Sequence, residues 1–376
     1  MRDETPPTMA DADEDTAPEA KEPSGGRLRR WLRGRPGAAL AGSLAGALLA
    51  GGLVAWQTDS LPLASREEPV CWDALPRDTA AELSGEDFEA HELPLAYSGM
   101  QSQRFLGECR IEDRRHLSPV VASVRELASS GLDSREWPAE FLNARMVPLG
   151  EGLTGMVSPV RAWVALPKDC QPDGILIRPP KVVSLSRGYA YTDIGSAEEN
   201  RELLARAVVE LANGVLERFD CGDPLPAPGR LEAIPEFEKL PRDELCRAEG
   251  MRTPESLRGE GRHGSRLQLV RTGTDGAVRT CELSVHGDVA ELRLLTIEEP
   301  RLAPLYWHAE RFGEGDESYR RDLGVFDAKC QDGDVTFVAQ RADDFDPALT
   351  RELFTAYVTA EGRRLGCDQP RVAAEE

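Results

Sequence analysis

The sequence contains no C-x-x-C pair, no H-E-x-x-H, no G-x-S-x-G, no P-loop and no dinucleotide fingerprint. Each of those chemistries needs its residues at a fixed local spacing, so their absence removes the compact zinc-site, zincin, serine-hydrolase and common phosphate-cofactor readings. Histidine is scarce, with five positions (His91, His116, His263, His286, His308), and no two of them stand at metal-binding helical spacing. Lysine is equally scarce, five of 45 basic residues. Positive charge is in deficit as well: the formal net charge is −21, and the residues beyond position 36 carry 38 basic against 58 acidic side chains. A surface of that sign repels phosphate backbones, which excludes nucleic acid as a partner. No cofactor or metal is expected.

Long apolar runs are absent except at one place. Residues 37–56, from Gly37 to Trp56, carry no charge over a length that would cross a hydrocarbon core, and Arg27, Arg29, Arg30, Arg33 and Arg35 precede them. This predicts a single-pass transmembrane signal-anchor, with residues 1–36 as a disordered cytoplasmic tail and residues 57–70 as a linker to an extracellular C-terminal part. A cleaved signal peptide fits less well, because the run ends in Val54-Ala55-Trp56-Gln57 without a small-residue cleavage motif. Ala38, Gly42, Gly46 and Ala50 share one helical face, which would allow a homodimer through the transmembrane helix. Thr5, Thr8 and Thr16 in the acidic tail offer a signalling alternative through phosphorylation.

The eight cysteines lie C-terminal to that run and fall into two sets in matching contexts: Cys71, Cys109, Cys170 and Cys221, then Cys246, Cys281, Cys330 and Cys367. The first cysteine of each set leads into a short helical pattern, ending near Leu83 and near Leu257. The second lies in a strand pattern, Arg104 to Ile111 and Val278 to Val285, and Asp275-Gly276 marks a hairpin before the latter. The third precedes a short apolar segment, Gly174-Ile175-Leu176-Ile177 in one case and Asp334 to Val338 in the other. A helix then returns to the fourth. In one copy Ser196 and Glu199 have capping-box spacing and Leu204, Val208, Leu211, Val215 and Phe219 form the apolar stripe. In the other Asp346 caps, Pro347 opens the helix, and Leu353, Phe354, Tyr357 and Val358 face inward. Both helices carry Arg-Glu-Leu, at Arg201 and Arg351.

The pattern predicts an α+β ectodomain written twice, residues 71–235 and 236–376, each a small mainly antiparallel sheet packed by a C-terminal helix. Bridges within each copy would pair Cys71 with Cys109, Cys170 with Cys221, Cys246 with Cys281 and Cys330 with Cys367, although eight cysteines formally allow 105 pairings. The first copy has an added segment, where Ser118-Pro119 would start a helix through Val120, Val121, Val124 and Leu127 that Gly131 stops. This order of cysteines and helices resembles actinobacterial membrane-anchored envelope proteins and lipoproteins of unknown function, including the DUF3558-like ones. The resemblance implies an extracytoplasmic α+β module and carries over no catalytic residues.

No catalytic constellation emerges from the residues. Glycine-rich pieces at Gly259 to Gly264 and Gly313 to Asp316 read as loops, and the aromatics of Arg161-Ala162-Trp163-Val164 and Tyr306-Trp307-His308 read as core before groove. The expectation is a non-enzymatic binding or interaction module whose partner is an unknown envelope protein or ligand. A hydrolase or small-ligand binder with a site assembled from distant residues is the alternative.

Overall fold

The computed structural model describes residues 68–95, 105–113, 119–127, 133–170, 180–187, 197–258, 267–273, 276–306, 323–343 and 345–368. They belong to one compact unit, Glu67–Glu376.

The first half begins with α1 (Arg77–Ser84), followed by β1 (Phe88–Leu93), β2 (Phe105–Asp113) and β3 (Val120–Glu126). After them come α2 (Asp133–Phe141), β4 (Val147–Pro148), β5 (Gly155–Val157), β6 (Arg161–Ala165), β7 (Lys181–Arg187) and the 23-residue α3 (Ala197–Phe219). The second half contains β8 (Glu238–Lys239), α4 (Glu255–Arg258), β9 (Leu269–Thr272), β10 (Val278–Ser284) and β11 (Leu292–Ile297). It closes with β12 (Leu323–Cys330), β13 (Gly333–Arg341) and α5 (Pro347–Arg364). Every strand pairing is antiparallel.

The seven-stranded sheet runs β1-β2-β3-β7-β6-β5-β4, and the six-stranded sheet runs β12-β13-β11-β10-β9-β8. Inside both lies the same five-strand order: β1-β2-β3-β7-β6 in one and β9-β10-β11-β13-β12 in the other, each followed by its long helix. The disulfides sit at matching points of this skeleton. Cys71–Cys109 and Cys246–Cys281 tie the opening turn to the second strand, and Cys170–Cys221 and Cys330–Cys367 tie the end of the fourth strand's region to the end of the long helix. The opening turns also match in backbone: Cys71, Trp72 and Asp73 are left-handed (φ 54, 67 and 60°), as are Glu244, Cys246 and Arg247 (φ 58, 59 and 51°). Non-glycine residues pay about 1–2 kcal/mol each for that conformation, so a buried cross-link holding each turn has a physical task.

Alternation along the strands explains the layers. In β6, Ala162 and Val164 join the core under α3, whereas Trp163 and Ala165 point the other way. In β11, Leu292 and Leu294 face α5, whereas Leu295 and Ile297 point away from it. These second faces meet in one shared core. There Trp137, stacked on Phe141 at 4.2 Å and set edge-on to Trp163 at 5.6 Å, lies with Val278, Leu295, Tyr306, Val325 and Val338 of the second half. The result is four layers, helix, sheet, sheet, helix, with three cores between them.

Three expectations are corrected. Residues 120–126 form strand β3 and not a helix: Val120, Ala122 and Val124 are buried in alternation, and β-branched residues suit a pleated surface better than a helical one. The insertion peculiar to the first half is instead α2 with β4 and β5. The expected transmembrane helix, Gly37 to Trp56, lies outside the described residues together with the tail and most of the linker. No helix among the described residues is long and apolar enough to cross a membrane. The longest, α3, has the length but carries Glu198, Glu199, Arg201, Glu202, Arg206, Glu210, Glu217 and Arg218. The fold is therefore α+β with two antiparallel sheets and four disulfides. The single-pass, signal-anchor part of the expected fold, and the cell-membrane localisation that rested on it, do not stand; the residues expected to carry a homodimer, Ala38, Gly42, Gly46 and Ala50, lie outside the described residues. Ser196 and the apolar segment Gly174 to Ile177 also lie outside the described residues; the strand after Cys170 is Lys181–Arg187.

Candidate functional site

Helix α3 buries Leu204, Val208, Leu211, Val215 and Leu216 against the first sheet. Its opposite side is not left to solvent. Asp220 and Gly222, both left-handed (φ 49 and 85°), turn the chain back on itself, and the following segment is punctuated by Pro224, Pro226, Pro228 and Pro235. Proline at that density excludes helix and favours an extended course without internal hydrogen bonds, so the segment's backbone groups bond elsewhere. Asn213 of α3 grips Leu225 twice, accepting from its N–H at 2.7 Å and donating to its carbonyl at 3.1 Å. Gly229 N–H donates to the Leu149 carbonyl at 2.8 Å. The Arg201 Nη1 donates to the Glu232 carbonyl at 2.6 Å. Leu225, Leu231 and Ile234 pack against the first core. The connector between the halves is thus a strap lashed along α3.

Two grooves open beside this helix. The larger, of about 610 Å³, lies between the first three turns of α3 and strap residues 228–234. Its helical side presents Glu198, Arg201, Glu202 and Ala205, which the i, i+3, i+4, i+7 spacing places on one face. Its strap side presents Pro228, Arg230, Leu231 and Ile234. The second groove, of about 540 Å³, lies at the other end of α3 and is lined by Asp73, Glu210 and Glu217 with Pro69, Pro76 and Pro224. Two of its carboxylates are engaged: Asp73 pairs with Arg218 at 3.5 Å, and Glu210 accepts from Thr79 at 2.7 Å.

Arg201 sets the larger groove apart. It is 5% exposed, its one hydrogen bond runs from Nη1 to a neutral carbonyl, and its Nε is buried with no acceptor. No carboxylate among the described residues pairs with it. By contrast, Arg206 at the groove's edge pairs with Glu82 at 3.0 Å, both half-exposed.

The buried charges of the second sheet are compensated. On the face of the second sheet that meets the first half, Arg271, Glu282, Arg293 and Gln340 form a ladder across four strands. Glu282 accepts from Arg271 at 2.8 Å and from Arg293 at 2.8 Å, and Arg293 reaches Gln340 at 2.7 Å. Phe237 of the strap lies under Arg271 at 4.0 Å. Burial alone would raise the Glu282 carboxyl, but the Arg293 and Arg271 guanidiniums outweigh it and hold it below the usual range. Burial likewise works to raise Glu299, and hydrogen bonds from Thr154 and Arg301 bring it down. Burial pushes the hydroxyls of Tyr306 and Tyr357 upward, which leaves both as neutral phenols.

The residues singled out in the sequence fall elsewhere. All eight cysteines are disulfide-bonded, Cys71, Cys109, Cys246 and Cys281 without exposure. Trp163 and Tyr306 are buried in the shared core, and Trp163 donates to the Phe141 carbonyl at 2.9 Å. His91 and His286 are exposed, whereas His116, His263, His308, Trp307 and the two glycine-rich pieces lie outside the described residues. No group of His, Cys, Asp and Glu among the described residues is placed to hold a metal. Sequence reasoning passed over Arg230, Leu231 and Ile234, because nothing in a proline-rich run announces what it lies against. The repeated Arg-Glu-Leu marked Arg201 without its role.

Comparison with known proteins adds little. No protein family and no curated protein matches the chain. Among solved structures, DynU16, from the dynemicin biosynthetic locus, overlaps 74% of this chain and 97% of its own at 10% identity, with a TM-score of 0.13, too slight a likeness to carry an argument.

Proposed function

We propose that this protein is a non-catalytic binding module whose recognition site is the groove between α3 and the strap. The observation that carries the reading is Arg201, a buried guanidinium with a single neutral acceptor at the wall of an open cleft. Burying a charge without a counter-ion costs several kcal/mol, on the order of that for any unpaired buried ion. Such a group is retained where something else comes to meet it. The apolar wall of Leu231 and Ile234 beside a few polar groups has the character of a small-ligand or peptide cleft.

A hydrolase reading draws less support. Acid catalysis by a carboxyl at neutral pH needs a raised pKa, whereas Glu282 and Glu299 are both pulled down by their partners and serve as structural anchors. The test is a fragment screen by protein-observed NMR on the intact chain. Binders are expected to perturb Ala205, Leu231 and Ile234, and Ala233→Trp, which overhangs the groove from an exposed strap position, is expected to abolish them. Perturbations mapping to the shared core or the outer sheet edges, unaffected by that substitution, would remove this groove as the site.

A further inference from the structure

We infer that the groove along α3 selects an apolar group carrying one carboxylate, which docks on Arg201; this rests on the reading of the groove as a binding site. The Nη1 of Arg201 is committed to Glu232 and its Nε is closed off from solvent, so Nη2 is the donor of the guanidinium left to meet a ligand from the groove. An N–H of a guanidinium donated to a carboxylate oxygen is a charge-assisted bond, stronger than one to a neutral acceptor. The bond to Glu232 adds a further element: with Nη1 held by the strap, the fork is oriented before any ligand arrives, which lowers the ordering cost of binding.

Charge narrows the class. Arg201 and Arg230 line the groove with Glu198 and Glu202, and Arg206 at its edge is paired with Glu82, so the buried Arg201 is the local positive spot in a molecule whose formal net charge is −21. A single anion is attracted to that spot. A ligand with several negative charges meets Glu198 and Glu202 at the groove and the acidic surface around it. The remaining wall, Leu231, Ile234 and Pro228, asks for an apolar body next to the carboxylate. A peptide C-terminus with an apolar last side chain and a free aliphatic acid both have this chemistry.

The experiment uses the intact chain with three probes followed by NMR shifts of the groove residues: acetyl-leucine, acetyl-leucinamide and octanoate. Acetyl-leucine is expected to bind and its amide to bind at least about ten-fold more weakly, since the amide offers no anion to the guanidinium. Stronger binding of acetyl-leucine than octanoate identifies a peptide terminus as the source, and the reverse order a free acid. Arg201→Gln is expected to erase the preference for acid over amide. Because that substitution also frees Glu232, Ala233→Trp serves as the second variant: it leaves Arg201 bonded to the strap and is expected to block all three probes. Equal binding of acid and amide overturns carboxylate recognition and leaves the groove itself standing. Failure of every probe while neutral fragments still bind there overturns it too, and failure of both probes and fragments removes the site altogether.

Discussion

The two halves share a skeleton and differ in what lies outside their long helices. Strand order, cysteine placement and the left-handed opening turn are common to both. Yet Arg201 of α3 is covered by the strap and Arg351, at the matching Arg-Glu-Leu of α5, is only partly buried. The shared features are those that a disulfide or a ladder of hydrogen bonds fixes. The differences sit where the chain is free to lie down on a finished surface. A skeleton that occurs twice can thus keep its cores and differ simply by where the connecting segment is tied.

The largest expected effect comes from the buried ladder of the second half. Glu282→Gln leaves two guanidiniums uncompensated and is expected to cost about 3–5 kcal/mol, read by chemical denaturation. Because the sheets share one core, the loss should appear as a single transition, and two separate transitions would show that the halves are independent. Removing a bridge ranks next. Cys71→Ser with Cys109→Ser releases a left-handed turn and is expected to cost about 2–5 kcal/mol; the matching pair Cys246 and Cys281 should lose a similar amount, and a large inequality would break the equivalence of the halves.

Gly214→Ala should come third, at about 1–3 kcal/mol, since a Cβ there would run into the backbone of Ala74. Asp346→Ala removes the side chain that caps α5 through the Ala348 N–H at 2.9 Å and is expected to cost about 1 kcal/mol. The pH dependence sharpens the contrast further. Glu282 and Glu299 have depressed pKa values in the folded state, so their stabilisation is present above the ordinary carboxylate pKa and is lost as pH falls through the folded values. An acid titration of wild type against Glu282→Gln should therefore show the two stabilities converging below the ordinary carboxylate range; a constant gap would mean that the charge of Glu282 is not what the ladder uses.

The α+β skeleton was legible because its signals are local. Cys109 and Cys281 lie in strands with clear alternation, and the stripe from Leu204 to Val215 has helical period over most of α3. At residues 120–126 the sequence misled, since Val120, Val121 and Val124 satisfy a helical spacing and a strand equally, and neighbouring β2 and β7 decided the matter. The groove was not legible at all. It depends on Glu232 meeting Arg201 and Leu225 meeting Asn213, contacts made after a reversal of chain direction that two left-handed residues produce. Sequence spacing does not report on segments that touch only because both have already folded.

The bridges close within each half, so the covalent graph of the disulfide-bonded unit has a single edge between its halves, the strap itself. A protease cut within the exposed stretch around Arg230 would leave two disulfide-closed fragments joined by the shared aromatic core, the Thr280 bond to the Leu142 carbonyl at 2.7 Å and the Thr154 bond to Glu299 at 2.7 Å. The fold is in that sense a heterodimer carried on one polypeptide, suited to fragment complementation: two separately produced pieces would reassemble through the sheet-to-sheet contact, with the groove restored only when the strap fragment finds α3.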